Sequence, residues 1–512
     1  MALDTIDDDT LICIFAFLAI PEILALRQTC KRLHAISKLR IVWRNACSTH
    51  VLAQGFPFPP TPPIHALDLP DLETRTRHAY RLGRKWQQQS SQSSQSQSQS
   101  ASTNINPRRE WSVSLNASAS ISDVRFVPGR KGPWLLTVSK GIWSVITAWD
   151  IHHDHGLHKI AEWCPKGAIF NGFAVNTDAS ADASLAISVL QDGFANDGAG
   201  AKANDGGNGK ASFRSLGTIK TWYKPVALHG TVLASSDDGA ETVICDWKKR
   251  TCAVLRSGRE AGQSSWQHDR CIQVIFAHKS ILVVRARSIN LFPEPVLSDR
   301  LPMRLYESIG RHSFGWIDGV SVAVNKRSTY TTSSSRQSLS SSRRGLSILI
   351  RAETDDPWAS DAHHLDLYDL LPNPAFSDTT DDGKIVPPYV FPPTLAAQVQ
   401  SVRGSLRCTG LVLGQYGTAI WIHPPQDRAV TGLVPNDTTD VPPGSVPTDA
   451  HECLVAAVFP GPLRSADASP DVHAQRVMPH DSSNNWSALD YDEDLGRIAL
   501  GSGAGEVTVL EL

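Results

Sequence analysis

The sequence predicts a multidomain chain in two parts: a small all-α bundle followed by a long all-β body. Three observations predict it. Apolar residues at helical spacing crowd into residues 3–43, short strand–turn–strand runs take over after Trp111, and a Gln/Ser tract at 87–102 lies between them. At 512 residues, 41% of them hydrophobic, the chain can hold more than one folded unit.

In the first helix, Asp7, Asp8, Asp9 and Thr10 supply N-cap candidates and negative charge where the helix dipole favours it. Leu11, Ile14, Phe15 and Leu18 follow at i, i+3, i+4 and i+7, one helical stripe. Ile12, Cys13, Ala16 and Phe17 fill most of the remaining surface, so this helix needs cover on two sides. Pro21 suits the first turn of a second helix, with Glu22 beside it. Ile23, Leu24, Leu26, Cys30, Leu33 and Ile36 continue the packing, and Trp43 closes the bundle. Forty residues cannot bury that much apolar surface alone, and the excess predicts a docking face.

This pattern resembles the F-box. The family's order of a helix with Phe-x-x-Leu, a Pro-containing link, a Leu-rich helix, a Cys-Arg/Lys step and a late Trp is matched in sequence. The matching residues are Phe15–Leu18, Ile20-Pro21, Ile23–Arg27, Thr29-Cys30-Lys31 and Trp43. Ile6-Asp7 stands where the family has Leu-Pro. The resemblance covers about residues 1–50 and implies docking to a Skp-type adaptor. Carried over by position, the adaptor-binding residues are Ile6, Leu11, Ile14, Phe15, Leu18, Pro21, Leu24, Arg27, Cys30, Lys31 and Trp43. Leu11, Phe15, Leu18, Pro21 and Leu24 are expected at the apolar centre, with Arg27 and Lys31 at a basic rim.

Other readings of this end are weaker. Met1-Ala2-Leu3 leads into acids rather than the basic start of a signal peptide. Leu11–Ile20 is far short of the roughly 18 residues of a membrane span. An ordinary core helix would leave the charge pattern unexplained. No acid occurs from Ile23 through Leu67, while Arg27, Lys31, Arg32, Lys38, Arg40 and Arg44 do, a flank suited to an acidic partner. Without a groove-reading motif or interleaved aromatics these bases do not predict nucleic-acid binding, and a net charge of −2 argues against a general polyanion binder. Nine scattered cysteines without a C-x-x-C pair predict neither a disulfide framework nor a zinc knuckle. A reducing compartment, cytoplasmic or nuclear, is therefore expected, and the Asn-x-Ser/Thr triplets at Asn116, Asn436 and Asn485 carry no meaning there.

Residues 51–110 read as a linker with a short helical piece, the Gln/Ser run within it being a flexible tether. Three further biased tracts, at 193–212, 328–344 and 435–450, interrupt strand-like sequence in the manner of long surface loops. The Ser/Arg tract offers hydroxyls to a kinase, although an inert solvated loop is the safer reading. Val124–Val127, Trp134–Ser139 and Trp143–Ile151 alternate with turns, and the last ends in Trp149-Asp150, the dipeptide of WD repeats. Comparable strand ends recur at Trp247, Phe292, Tyr368, Trp421 and Leu510, and Trp247 to Phe292 spans 45 residues, about one blade. Trp222 falls too close to Trp247 and is placed in an outer or connecting strand. Residues 111–512 thus resemble a degenerate WD-type β-propeller of about seven blades, the second weak and near Ile169–Leu190. A β-sandwich or two stacked β-domains is the structural competitor. Trp111–Leu115 is expected to complete the last blade as its outer strand. The whole resembles the F-box/β-propeller proteins of fungi.

Motifs that could carry chemistry are discounted. Gly501–Gly505 precedes a strand, not the helix a dinucleotide loop needs. His152-His153-Asp154-His155 with His158, and His363-His364, lack a partner cluster for metal. Asp490–Asp494 reads as a solvated acidic hairpin, not a calcium loop. Arg285 and Arg287 would project from one side of a continuous strand, Ile281–Phe292, and some WD-repeat F-box proteins clamp phosphopeptides with such arginines. By resemblance, the chain is a non-catalytic substrate receptor of a Skp–cullin–F-box ubiquitin ligase. It needs no cofactor or metal, and has the adaptor, the cullin and an unknown target protein as partners but neither nucleic acid nor membrane. A propeller scaffold that binds the adaptor outside any ligase is the alternative, and an enzyme on the propeller has no supporting motif.

Overall fold

The computed structural model describes residues 6–91, 105–115, 119–129, 134–152, 156–191, 212–237, 239–258, 269–299, 303–326, 344–353, 362–376, 386–402, 410–423, 452–464, 472–477 and 485–512. Five helices come first: α1 (Asp8–Phe17), α2 (Ile20–Arg27), α3 (Lys31–Ile36), α4 (Arg40–Cys47) and α5 (Leu69–Ser91). A π-helical turn at Ser48–Leu52 and a 3-10 turn at Ile64–Ala66 lie between α4 and α5, and the other described residues are strand, turn or irregular. The first strand, β1 (Arg109–Ser114), belongs to the last blade.

Seven sheets, antiparallel but for one edge pairing, follow in chain order among the described residues. Blade 1 is β2 (Ser120–Val127), β3 (Trp134–Lys140), β4 (Ser144–His152) and β5 (Gly156–Trp163). Blade 2 shows β6 (Ala168–Val175) and β7 (Leu185–Gln191) among the described residues. Blade 3 is β8 (Lys224–His229), β9 (Val232–Ser236), β10 (Glu241–Asp246) and β11 (Thr251–Arg256). Blade 4 is β12 (Cys271–Ala277), β13 (Ser280–Arg285) and β14 (Ser288–Pro293). Its chain then lends β15 (Arg304–Glu307) to the outer edge of blade 3, the one parallel pairing between named strands, before returning as β16 (Gly310–Ser313). Blade 5 is β17 (Trp316–Val324), β18 (Leu346–Glu353), β19 (Ala362–Leu370) and β20 (Thr394–Val402). Blade 6 is β21 (Leu411–Leu413), β22 (Thr418–His423), β23 (Cys453–Val458) and β24 (Ala474–Arg476). Blade 7 is β25 (Trp486–Asp492), β26 (Arg497–Ser502) and β27 (Glu506–Glu511), with β1 outermost.

Several strands read as unbroken apolar runs, such as Ser280–Arg285, Thr418–His423 and Cys453–Val458, because neighbouring blades cover both faces. Separate apolar clusters accordingly lie between blades 1 and 7, 3 and 4, 4 and 5, and 5 and 6. Such a series of sheets, each packed on the next and closed from last to first, is a β-propeller, not a sandwich. The expected closure is present: β1 pairs antiparallel with β27, Trp111 opposite Val509. Trp149, Phe292, Tyr368 and Leu510 lie in third strands and Trp247 just after one, whereas Trp421 lies in the second strand of blade 6. Trp222 is not in a strand; it sits in a bend ahead of β8, almost fully exposed.

The expectation of a linker over 51–110 is corrected. Leu72, Thr76, Ala79, Leu82, Gly83 and Trp86 form a buried stripe along α5 at i, i+4, i+7, i+10, i+11 and i+14. Gly83 must be glycine here, since a Cβ would stand 2.2 Å from the Phe56 ring. The 87–102 run is helical as far as Ser91, and its remainder lies outside the described residues. The tracts at 193–211, 328–343 and 435–450 also lie outside them.

Candidate docking face and the seam behind it

In α1, the Asp7 side chain accepts hydrogen bonds from Thr10 N at 3.1 Å and Thr10 Oγ1 at 2.6 Å, which also hold its carboxyl below the usual range. Asp8 pairs with Arg32 at 2.8 Å, tying α1 to α3, and Arg32 also donates to the Ile6 carbonyl. In α2, Glu22 accepts from Ala19 N at 2.8 Å and fixes the turn around Pro21. In α4, Trp43 is fully buried and donates from Nε1 to Ser37 O at 2.9 Å.

Three expected contact residues are corrected. Leu11, Phe15 and Trp43 are buried in the chain's own core, so they build the bundle instead of its surface. The cause is the packing of α1 against α3 and α4, with residues 51–91 forming a further layer on α4. What α1 exposes is Phe17, 85% accessible, and Ile14, 41%. Pro21, Cys30 and Lys31 are exposed, while Leu18 and Leu24 are half-buried. Arg27 is corrected too: it is not a free rim charge. Its guanidinium grips Glu73 of α5 at 2.7 and 3.0 Å, donates to Ser37 Oγ and lies 5.5 Å over the Trp43 ring.

Behind this face the helices and the ring share one core. Phe15, Ile23, Trp43, Val51, Leu72 and Trp86 belong to the same apolar cluster as Ile420, Leu454, Trp486, Leu489, Leu500 and Leu510 of blades 6 and 7. Polar groups bind the seam. His78 of α5 meets Leu495 O at 2.9 Å, and burial lowers its pKa. Phe58 N donates to the Tyr416 hydroxyl at 3.2 Å, and Lys326 bridges Tyr416 (3.0 Å) and Asp494 (3.3 Å). Asp490–Asp494 is therefore no solvated hairpin. Glu493 accepts from Tyr416 N at 2.9 Å, Thr418 N at 3.1 Å and the Thr418 hydroxyl. Burial still pushes its carboxyl up to about 7, and Asp492 to about 6. Gly414 leaves room for it, since a Cβ there would stand 2.1 Å from that carboxyl group.

The expected arginine pair is also corrected. The chain bends at Ala286-Arg287, so Ile281–Phe292 is two strands and the alternation argument does not apply. Arg285 is fully buried and donates to the carbonyls of Gly239 and Asp269 and to Thr242 Oγ1 at 3.0 Å, bracing blade 4 against blade 3. Arg287 is half-buried in the bend, its N–H donating to Asp269 Oδ1 at 3.2 Å. Gly501–Gly505 spans the β26–β27 turn, as expected. His152 pairs with Asp150 at 2.9 Å, and no group of three or more His, Cys, Asp or Glu side chains is set to hold a metal among the described residues. Cys245 and Cys252 form a disulfide, against expectation, because a hairpin places residues seven apart face to face. Among the described residues, no helix is long and apolar enough to cross a membrane.

Residues 8–49 match the F-box-like family, so the helical unit is an F-box-like domain. The ring resembles two solved structures. One is the β-propeller domain of Cps50 (Swd1) from Myceliophteria thermophila, 10% identical over 78% of this chain and 99% of that one, with a TM-score of 0.42. The other is a chain of an active polycomb repressive complex 2 in the basal state, 12% identical over 79% of this chain and 98% of that one, with a TM-score of 0.42. No curated protein matches the sequence.

Proposed function

We propose that this chain is the substrate-recognition subunit of a Skp–cullin–F-box ubiquitin ligase, acting in the cytoplasm or nucleus. The F-box-like domain docks the Skp-type adaptor and the propeller holds a target protein. The observation that carries this reading is Phe17, a large aromatic side chain left in water on an F-box-like domain whose other large apolar groups are mostly covered. Phe17, Ile14 and Pro21 form the centre of the docking face, flanked by Leu18 and Leu24, with Lys31 supplying charge at the edge. The chain itself performs no chemistry; ubiquitin transfer belongs to the enzymes that the cullin recruits.

The test is co-purification of the full chain with adaptor and cullin, wild type against Phe17→Glu. Both partners should be lost from the variant while its thermal unfolding is unchanged. Recovery of adaptor without cullin from the wild type would favour a scaffold outside any ligase. Undiminished recovery by Phe17→Glu would remove this face from the proposal.

A further inference from the structure

Cys245 of β10 and Cys252 of β11 stand directly opposite each other, bonded through sulfur, with Cα atoms 4.2 Å apart. That spacing belongs to a non-hydrogen-bonded antiparallel pair, where side chains approach most closely. Six other described cysteines, Cys13, Cys30, Cys47, Cys164, Cys271 and Cys453, form no disulfide, so this bond is not part of a framework. Both of its residues are only half-buried. The intervening turn carries Lys248, paired with Asp182, and Lys249, paired with Asp246. The hairpin is also held by backbone pairing from Glu241↔Arg256 to Asp246↔Thr251, so its register does not depend on the bond. Once reduced, the two sulfurs stay close, and a high effective concentration favours their rejoining.

Beyond the hairpin, Cys252 N donates to Ser298 O at 2.9 Å and Ser298 N returns to Cys252 O at 3.2 Å. The next four residues, Ala253 to Arg256, pair with β15. Cys252 thus sits where the excursion of blade 4 is laid against blade 3.

We propose that Cys245 and Cys252 are a reversible redox clasp: oxidised, they hold β11 firm as the platform for β15, and reduced, they let that edge of blade 3 open. The oxidant is a peroxide. One thiolate attacks a peroxide oxygen to give a sulfenic acid and water, and the second thiolate attacks that sulfur and releases a second water. The two thiols lose two electrons and two protons, and hydrogen peroxide becomes two waters. In the reverse direction a small dithiol exchanges through a mixed disulfide and leaves oxidised as its own disulfide.

The test uses the full-length protein, reduced under native conditions with dithiothreitol, freed of it, and then exposed to hydrogen peroxide. Iodoacetamide should add to two more cysteines in the reduced form than after peroxide, and peptide mapping should find them at Cys245 and Cys252. Tryptic cutting after Arg304 should be several-fold faster in the reduced form. A Cys245→Ser, Cys252→Ser double variant should be cut at the reduced rate whatever the treatment. A bond that native dithiothreitol leaves intact, thiols that peroxide does not rejoin, or equal cutting at Arg304 in the two wild-type forms would each overturn the proposal; the last needs no variant to fold.

Discussion

Inner strands of the ring are covered on both faces by neighbouring blades, whereas the helices of residues 8–47 cover each other on one side and reach blades 6 and 7 through the layer of residues 51–91 packed on α4. The ring closes on itself through β1 and β27. The helical unit closes on something else. Its Trp43 and Phe15 share a core with Trp86 of α5 and Leu510 of the last strand. A small domain that borrows half its cover can leave an aromatic such as Phe17 exposed without losing its own fold, because its stability comes from elsewhere.

Cutting the helical unit away should separate the two regions most clearly. A 1–50 fragment should show little cooperative helical unfolding by circular dichroism, while a 105–512 fragment should still melt as a β-protein. A stable 1–50 fragment would mean that the dependence is not real. Trp86→Ala should cost about 3–5 kcal/mol, the range for emptying a buried aromatic site, and should loosen the helices before the ring. Hydrogen exchange resolved by segment checks the order. Phe17→Ala should leave the melting temperature alone yet weaken adaptor binding by about 2–4 kcal/mol, measured by calorimetry.

Acidity sharpens the picture on a smaller scale. The Glu493 carboxyl is raised to about 7 in the folded chain, so between about 4.5, its unfolded value, and 7 the folded state holds the extra proton. Stability should therefore fall as pH rises through that window, by about 1–3 kcal/mol. Chemical denaturation at successive pH values should show the slope, and Glu493→Gln should flatten it. The smallest effect is at the edge of the docking face. Lys31→Glu should slow association with an acidic adaptor at low salt and matter little at high salt, as stopped-flow rates would show. The same change at Arg27 should instead destabilise the fold, because Glu73 loses its closer partner and keeps only Arg77 at 3.4 Å.

Much of this architecture was legible because it rests on local pattern. Ser280–Arg285 and Val124–Val127 announce strands by composition, and Trp111–Leu115 is strand-like sequence stranded ahead of the first blade, which only the last blade can use. The F-box-like order of Phe15, Pro21, Cys30 and Trp43 is likewise carried by spacing. Which face of α1 is exposed was not legible, because both faces are apolar and the decision falls to how α3 and α4 fold back on it. The layer that in turn covers α4 was signalled by Leu72, Ala79, Leu82 and Trp86, but the adjoining Gln/Ser tract masked it. Charge misled for a related reason. Glu493 and Arg285 look solvated in isolation, and only the ring brings the donors and carbonyls that allow each to be buried.

The pairing of β1 with β27 also sets a timetable for synthesis. Arg108 N donates to Glu511 O at 2.6 Å, Ile105 N to Arg476 O at 2.7 Å, and Leu512 N to Gly496 O at 2.9 Å. Domains usually fold in the order in which they leave the ribosome. Here the helices cannot settle until blade 7 has been made, since α5, on which α4 packs, meets Leu495 and Gly496 of that blade. A nascent chain halted anywhere short of its last blade would carry an unfinished helical unit with its apolar groups open to quality control. Only a finished ring would present an orderly face to a partner.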